Sequence, residues 1–253
     1  MSRDSSNQTR AAGVLQDTPV ALGHLRDLAA ALGLLTRLPL RQPAPGGEAF
    51  ARATIFFPLV GLGIGAVLLA VNWLVMGHLR AWVAAVVLVA CWEGLSRPPR
   101  LCGAATETDQ SRARCESRAR WMMRALSGGL IAAKICCLSL RIGSRPAALL
   151  FAPMLGRWSM VVLAVGARDA HDPGRKFNPA LTFREFALTS VFSCAALLTV
   201  AEAVGLLIMV CVAGMSLAGR VLTHRWTGGT TWRMLDTSAR AIEVVVLFLW
   251  AVL

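Results

Sequence analysis

Apolar residues fill this chain in long runs separated by shorter polar intervals. The runs at 53–77, 81–95, 128–140, 147–166, 186–200, 204–217 and 241–253 each read as a helix that crosses a bilayer. The first is long enough outright, since about 20 apolar residues span the hydrocarbon. The shorter runs need tilting or flanking residues to make up the length. Ahead of them, Val20, Leu22, Leu25, Leu28, Leu32 and Leu35 recur mostly at three- and four-residue steps, interrupted by His24, Arg26 and Asp27. That pattern predicts a helix lying along the membrane surface, ended by Pro43, Pro45, Gly46 and Gly47. Gly61, Gly63 and Gly65 would let the first spanning helix approach a neighbour closely. The fifth and sixth runs predict a hairpin hinged near Glu202. Residues 1–17 are polar and predict a disordered tail. The expected architecture is an all-α, polytopic transmembrane helical bundle of about six to seven spanning helices plus an N-terminal interfacial helix. Residues 18–253 are expected to form one integral-membrane domain.

Composition agrees with a membrane protein. Apolar residues make up 56% of the chain and charged residues only 16%, with a mean hydropathy of +0.58. Lysine and arginine outnumber acids 26 to 14, which on so apolar a chain marks cytoplasmic rims rather than a nucleic-acid partner. With the N-terminus inside, 21 of the 26 cations fall on the inner side, and only Arg80, Arg141 and Arg145 on the outer turns. That asymmetry orients the bundle with its N-terminus and long loops in the cytoplasm. No signal-peptide core precedes the runs. The seven cysteines form no CxxC pair, and five sit in apolar runs as small filler.

Candidate chemistry lies in the inner polar intervals and in the charges buried within runs. Arg157 falls near the middle of its run, so it should face the bundle interior, either binding a phosphate or pairing structurally. Glu93 and Glu202 read as solvated or capping groups near helix ends. Cys102, Thr106 and Asp109 are spaced to share a helix face, with Glu107 beside it. Glu107 and Asp109 are the candidate Mg2+ ligands, the ion taking its other oxygens from water and substrate; a solvated loop is the plainer reading of Asp109. Thr227-Gly228-Gly229-Thr230-Thr231 precedes a helical run, as an anion cradle or as a simple helix entry. Asp236 and Glu243 follow at i and i+7.

These landmarks, in this order, resemble the cobalamin synthase family, from about Leu32 to the C-terminus. Leu35-Thr36-Arg37-Leu38-Pro39 is similar to the family's TRLP signature, and Phe57-Pro58-Leu59-Val60-Gly61 to its first spanning helix. Leu155-Gly156-Arg157-Trp158 resembles its GRW element, and Gly228-Gly229-Thr230-Thr231 the start of its GGxTGD motif, with Glu243 matching a later acid. The departures fall on the acidic motifs. The family's HLDGLADTAD stands here as Arg100-Leu101-Cys102-Gly103-Ala104-Ala105-Thr106-Glu107-Thr108-Asp109, so only its last aspartate is kept. MKDSRIG loses its acid at Ala125, and the GGxTGD aspartate is replaced by Arg233.

The resemblance implies an adenosylcobinamide-GDP ribazoletransferase: a Mg2+-dependent transfer joining α-ribazole or its 5′-phosphate to adenosylcobinamide-GDP, with release of GMP. It implies catalytic roles for Asp109 and Arg157, metal ligation by Asp109 and Glu107, and substrate binding by Arg100, Gly228, Gly229, Thr231 and Arg233. Membrane lipids and other nucleotide-loop assembly enzymes are the expected partners. The rival expectation is a family member that binds the cobinamide nucleotide or scaffolds partner enzymes without turnover. A transporter-like bundle is disfavoured because the polar residues concentrate in the loops, with no paired broken helices at the midplane.

Overall fold

A computed structural model describes residues 20–37, 47–96, 112–140, 145–168, 178, 180–227 and 230–253. Eight helices account for nearly all of them: α1 Val20–Leu35, α2 Gly47–Thr54, α3 Phe57–Val75, α4 Ala81–Leu95, α5 Arg112–Ser139, α6 Arg145–Ala164, α7 Phe183–Thr227 and α8 Trp232–Val252. Three have the length and hydropathy to cross a membrane, Phe57–Val75, Arg145–Ala164 and Phe183–Arg225, with Ala81–Leu95 and Ala125–Ser139 as shorter apolar stretches. The protein is therefore an all-helical, polytopic membrane bundle.

α6 is the axial helix, buried along almost its whole length between α3, α7 and α8. Its contact with α3 is backbone against backbone. A Cβ on Gly61 would lie 2.6 Å from the Pro153 carbonyl oxygen, and one on Gly65 only 2.3 Å from that of Leu150. Both positions therefore require glycine. Gly63 differs from the expectation: a Cβ there would meet nothing within 4 Å. The pairing of 61 with 153 and of 65 with 150 makes α3 and α6 antiparallel.

α7 breaks at Glu202, whose φ of 46° and ψ of −129° lie outside the helical region. A Cβ on Gly205 would sit 3.1 Å from the Leu197 carbonyl oxygen. Residues eight apart in a straight helix are separated by about 12 Å, so the chain reverses here. The hairpin expected at Glu202 is present.

Three boundaries differ from the sequence reading. The first spanning helix begins at Phe57 rather than residue 53, because Pro58 fits the first helical turn and a separate α2 precedes it. Helix α5 begins at Arg112, well before the apolar run at 128–140. The interval 220–240 is almost wholly helical, split between the end of α7 and the first half of α8. Hydropathy marks where lipid would touch a helix, whereas Ala, Arg, Met and Leu sustain helix beyond that limit.

α1 lies across one end of the bundle. His24 packs edge-on against Phe56, Asp27 pairs with Arg52 at 3.5 Å, and at its other end Thr36 bridges Ser96 while Arg37 N–H donates to the Leu95 carbonyl. At the same end, Thr230 N–H donates to the Arg168 carbonyl (2.8 Å), and Phe50 stacks edge-on with both Phe57 and Trp232. The ends of α4 and α6 and the starts of α3 and α8 thus meet together; the intervals 97–111, 169–177 and 228–229 are attached there. The expected tail at 1–17 lies outside the described residues.

Candidate functional site

Below this shared end, four helices bring a set of charges into contact inside the bundle. Asp236, Arg240 and Glu243 follow one face of α8 at i, i+4 and i+7. Arg240 Nε donates to Asp236 Oδ2 (3.1 Å), and its Nη1 donates to Glu93 Oε2 on α4 (2.8 Å). Lys134 on α5 donates from Nζ to Glu93 Oε1 (2.9 Å) and to Glu243 Oε2 (2.6 Å). The ammonium also lies 4.3 Å from the Trp92 ring centroid, against the electron-rich face that attracts a cation. Lys134 and Glu243 are each 1% exposed, whereas Glu93, Arg240 and Asp236 keep some access to solvent. The network thus runs from the partly open rim to the closed interior with alternating sign.

Its inner end abuts α6. A Cβ on Gly156 would lie 2.7 Å from Glu243 Cγ and 3.0 Å from the Ala239 carbonyl oxygen, so glycine makes room for the carboxylate. Next to it, Arg157 is 2% exposed, and its charge contributes to the field at Glu93. Arg157 Nη1 makes one weak contact, to Met160 Sδ at 3.7 Å, and Nε is buried with no partner. Glu243 Oε1 is likewise buried and unpartnered. A buried donor and a buried acceptor left open on facing helices are unusual in a packed interior, where such groups are nearly always satisfied. They leave hydrogen-bonding capacity here for a polar guest.

Of the residues expected to form the site, Arg157 takes the interior position foreseen for it. Thr231 is the N-cap of α8, its hydroxyl accepting from Met234 N–H at 3.3 Å, which is the helix-entry reading of that stretch. Arg157 and Thr231 are not brought together: Gly156, beside Arg157, faces Ala239 of α8, and Thr231 precedes Ala239 by about 12 Å along the helix. Arg233 belongs to α8, and its side chain lies outside the described set. Arg100, Glu107, Asp109, Gly228 and Gly229, with Cys102 and Thr106, lie outside the described residues.

Glu93 corrects the sequence reading: it bridges Lys134 and Arg240 instead of being solvated or capping a helix end. Lys134 and Arg240 were not foreseen as site residues. The available signal was a lysine inside an apolar run, which is costly unless paired; its partners stand 41 and 109 residues away, beyond any local spacing.

The described carboxylates do not fit a magnesium site. Among the described residues no three His, Cys, Asp or Glu side chains converge, and Glu93, Asp236 and Glu243 each already face a cation. Arg168, whose carbonyl accepts from Thr230 N–H at the shared end, and Arg225 are exposed, and Arg220 reaches the Val162 carbonyl at 3.5 Å, so the arginines near the ends of α6 and α7 give this end of the bundle cationic character. Such a surface attracts anions.

A family model described as cobalamin-5-phosphate synthase matches residues 27–105. The chain is 32% identical over 241 residues to the adenosylcobinamide-GDP ribazoletransferase of Roseiflexus sp. (strain RS-1), spanning 89% of each. It is 30% identical over 241 residues to that of Pseudomonas syringae pv. syringae (strain B728a), covering 88% of this chain and 98% of the relative. A third, from Pseudomonas aeruginosa (strain UCBPP-PA14), is 42% identical over 86 residues, 34% of this chain and 35% of the relative. No solved structure matches the chain.

Proposed function

Because the chain belongs to the cobalamin-5-phosphate synthase family of adenosylcobinamide-GDP ribazoletransferases, we propose that it joins α-ribazole or its 5′-phosphate to adenosylcobinamide-GDP and releases GMP. In this reaction a ribazole hydroxyl attacks the cobinamide-linked phosphorus. The new P–O bond forms as the bond to the GMP oxygen breaks, and the hydroxyl proton passes to solvent or a base. Catalysis of phosphoryl transfer is mainly positioning and stabilisation of charge on the phosphoryl oxygens.

The observation that carries this reading is Arg157: a guanidinium held in the interior whose hydrogen-bond partner among the described residues is the Met160 sulfur, about 10 Å along α6 from the end where the polar intervals are attached. A guanidinium there meets a phosphate bidentately and with little screening. The network of Lys134, Glu93, Arg240 and Glu243 supports it by fixing α4, α5 and α8 against α6. Since α4 ends at Leu95, just after Glu93, the same ion pairs fix the helix from which the segment that carries Arg100, Glu107 and Asp109 departs. Magnesium, when bound at Glu107 and Asp109, would neutralise diphosphate charge. We place Gly228, Gly229, Thr231 and Arg233 at the nucleotide, and the shared end of the bundle on the cytoplasmic side of the bacterial inner membrane.

The experiment is GMP release by the purified full chain given both substrates and Mg2+. Turnover is expected, falling by about two to three orders of magnitude in Arg157→Gln, the usual loss for a preorganised donor to a developing oxyanion. Asp109→Asn is expected to abolish the Mg2+-dependent part. Saturable binding of adenosylcobinamide-GDP with no GMP release would instead support the non-catalytic binder, the reading favoured by Cys102, Thr106, Ala125 and Arg233 at the family's reactive positions.

A further inference from the structure

In the angle between α1 and α3 lies an apolar groove of about 500 Å³, lined by Leu28, Leu32, Leu59, Gly63, Val67 and Leu95 among others. Thr36 is its polar member, and that hydroxyl already donates to the Leu32 carbonyl. Leu59, Gly63 and Val67 follow one exposed face of α3, the outward face of a helix whose length and hydropathy suit a membrane span. α1 crosses above this face at the basic end of the bundle. Leu59 to Val67 descends roughly 12 Å, most of the depth of one leaflet, which is about 15 Å, half the hydrocarbon thickness. The groove therefore opens sideways, at the level where acyl chains begin.

Gly63 is the second observation. Gly61 and Gly65 are explained by the closeness of α6, but nothing in the packing requires glycine at 63. Alanine would make the better helix, and what glycine keeps open there is the floor of the groove. Arg37 supplies the third. It follows Thr36, its N–H is bonded to the Leu95 carbonyl at the groove's upper end, and its side chain is exposed. An apolar slot one leaflet deep with a cation at its mouth has the chemistry of a single anionic phospholipid. We propose that the groove seats one acyl chain of such a lipid from the surrounding bilayer, with its headgroup phosphate at Arg37.

The test uses the full chain in nanodiscs of phosphatidylglycerol and phosphatidylcholine. Either lipid carries a photoreactive diazirine on its acyl chain, and adducts are mapped by peptide mass spectrometry. Adducts are expected to concentrate on the groove-facing residues of α1 and α3 and to be stronger with phosphatidylglycerol. Gly63→Phe fills the floor and should lower them about tenfold, the effect of excluding roughly two methylenes. Ala66→Leu serves if that variant fails to assemble. Gly214→Phe, at another open and exposed glycine on α7, should leave them unchanged, and Arg37→Gln should erase the preference for phosphatidylglycerol. Labelling no denser in the groove than on other outward faces, or unaffected by Gly63→Phe, overturns the assignment. So does labelling that appears only after residues 1–17 are deleted, which would give the groove to the chain's own N-terminal segment. Equal labelling by the two lipids overturns the role of Arg37.

Discussion

Lys134 holds the most consequential single contact set in the molecule. It is buried to 1% and donates to two carboxylates on different helices. Removing the ammonium would leave Glu243 charged and unpaired in a dry interior, a loss of about 3–5 kcal/mol for a buried pair broken on one side. Lys134→Met is therefore expected to lower the unfolding midpoint in detergent substantially, and Lys134→Met combined with Glu243→Gln to recover part of the loss. Equal stability of Lys134→Met and the parent would mean that the network contributes nothing. Arg157 presents the opposite case. Its position in the interior was legible, because an arginine amid Leu155, Gly156 and Trp158 has no cheap way to face lipid. Its neighbours were not, since the Gly156–Glu243 approach joins residues far apart in sequence.

At the scale of elements, apolar runs located every spanning helix, and the break at Glu202 was readable from one acid between two such runs. The polar extensions of α5 and α8 were invisible to the same reasoning, because helices that leave the lipid lose the hydrophobic signal while keeping good helix formers. The glycines of α3 show how far sequence reaches: three at alternate positions looked alike, yet only two touch α6. Gly65→Ala forces a methyl group to within 2.3 Å of the Leu150 carbonyl, and neither backbone can yield cheaply. It should cost about 1–3 kcal/mol by overpacking. Gly63→Ala should cost nothing or stabilise slightly. Comparing the two thermal midpoints in detergent checks the α3–α6 contact; similar values for both variants would contradict it.

Across the whole molecule, the antiparallel sequence of helices brings the ends of α4 and α6 and the starts of α3 and α8 together. That places Arg157, the Lys134 network and the attachments of three polar intervals in one half of the bundle. The cation asymmetry in the sequence predicts that this half faces the cytoplasm, and it could not supply the ion pairs that fix the helices there. Labelling with a membrane-impermeant maleimide tests the arrangement most directly, using native Cys102, Gly228→Cys and Gly77→Cys, each as the single cysteine of an otherwise cysteine-free chain. Cys102 and Gly228→Cys should react only in inside-out vesicles, and Gly77→Cys only in right-side-out ones. Reaction of Cys102 and Gly228→Cys from opposite faces of the membrane would contradict a common site for a phosphorylated substrate.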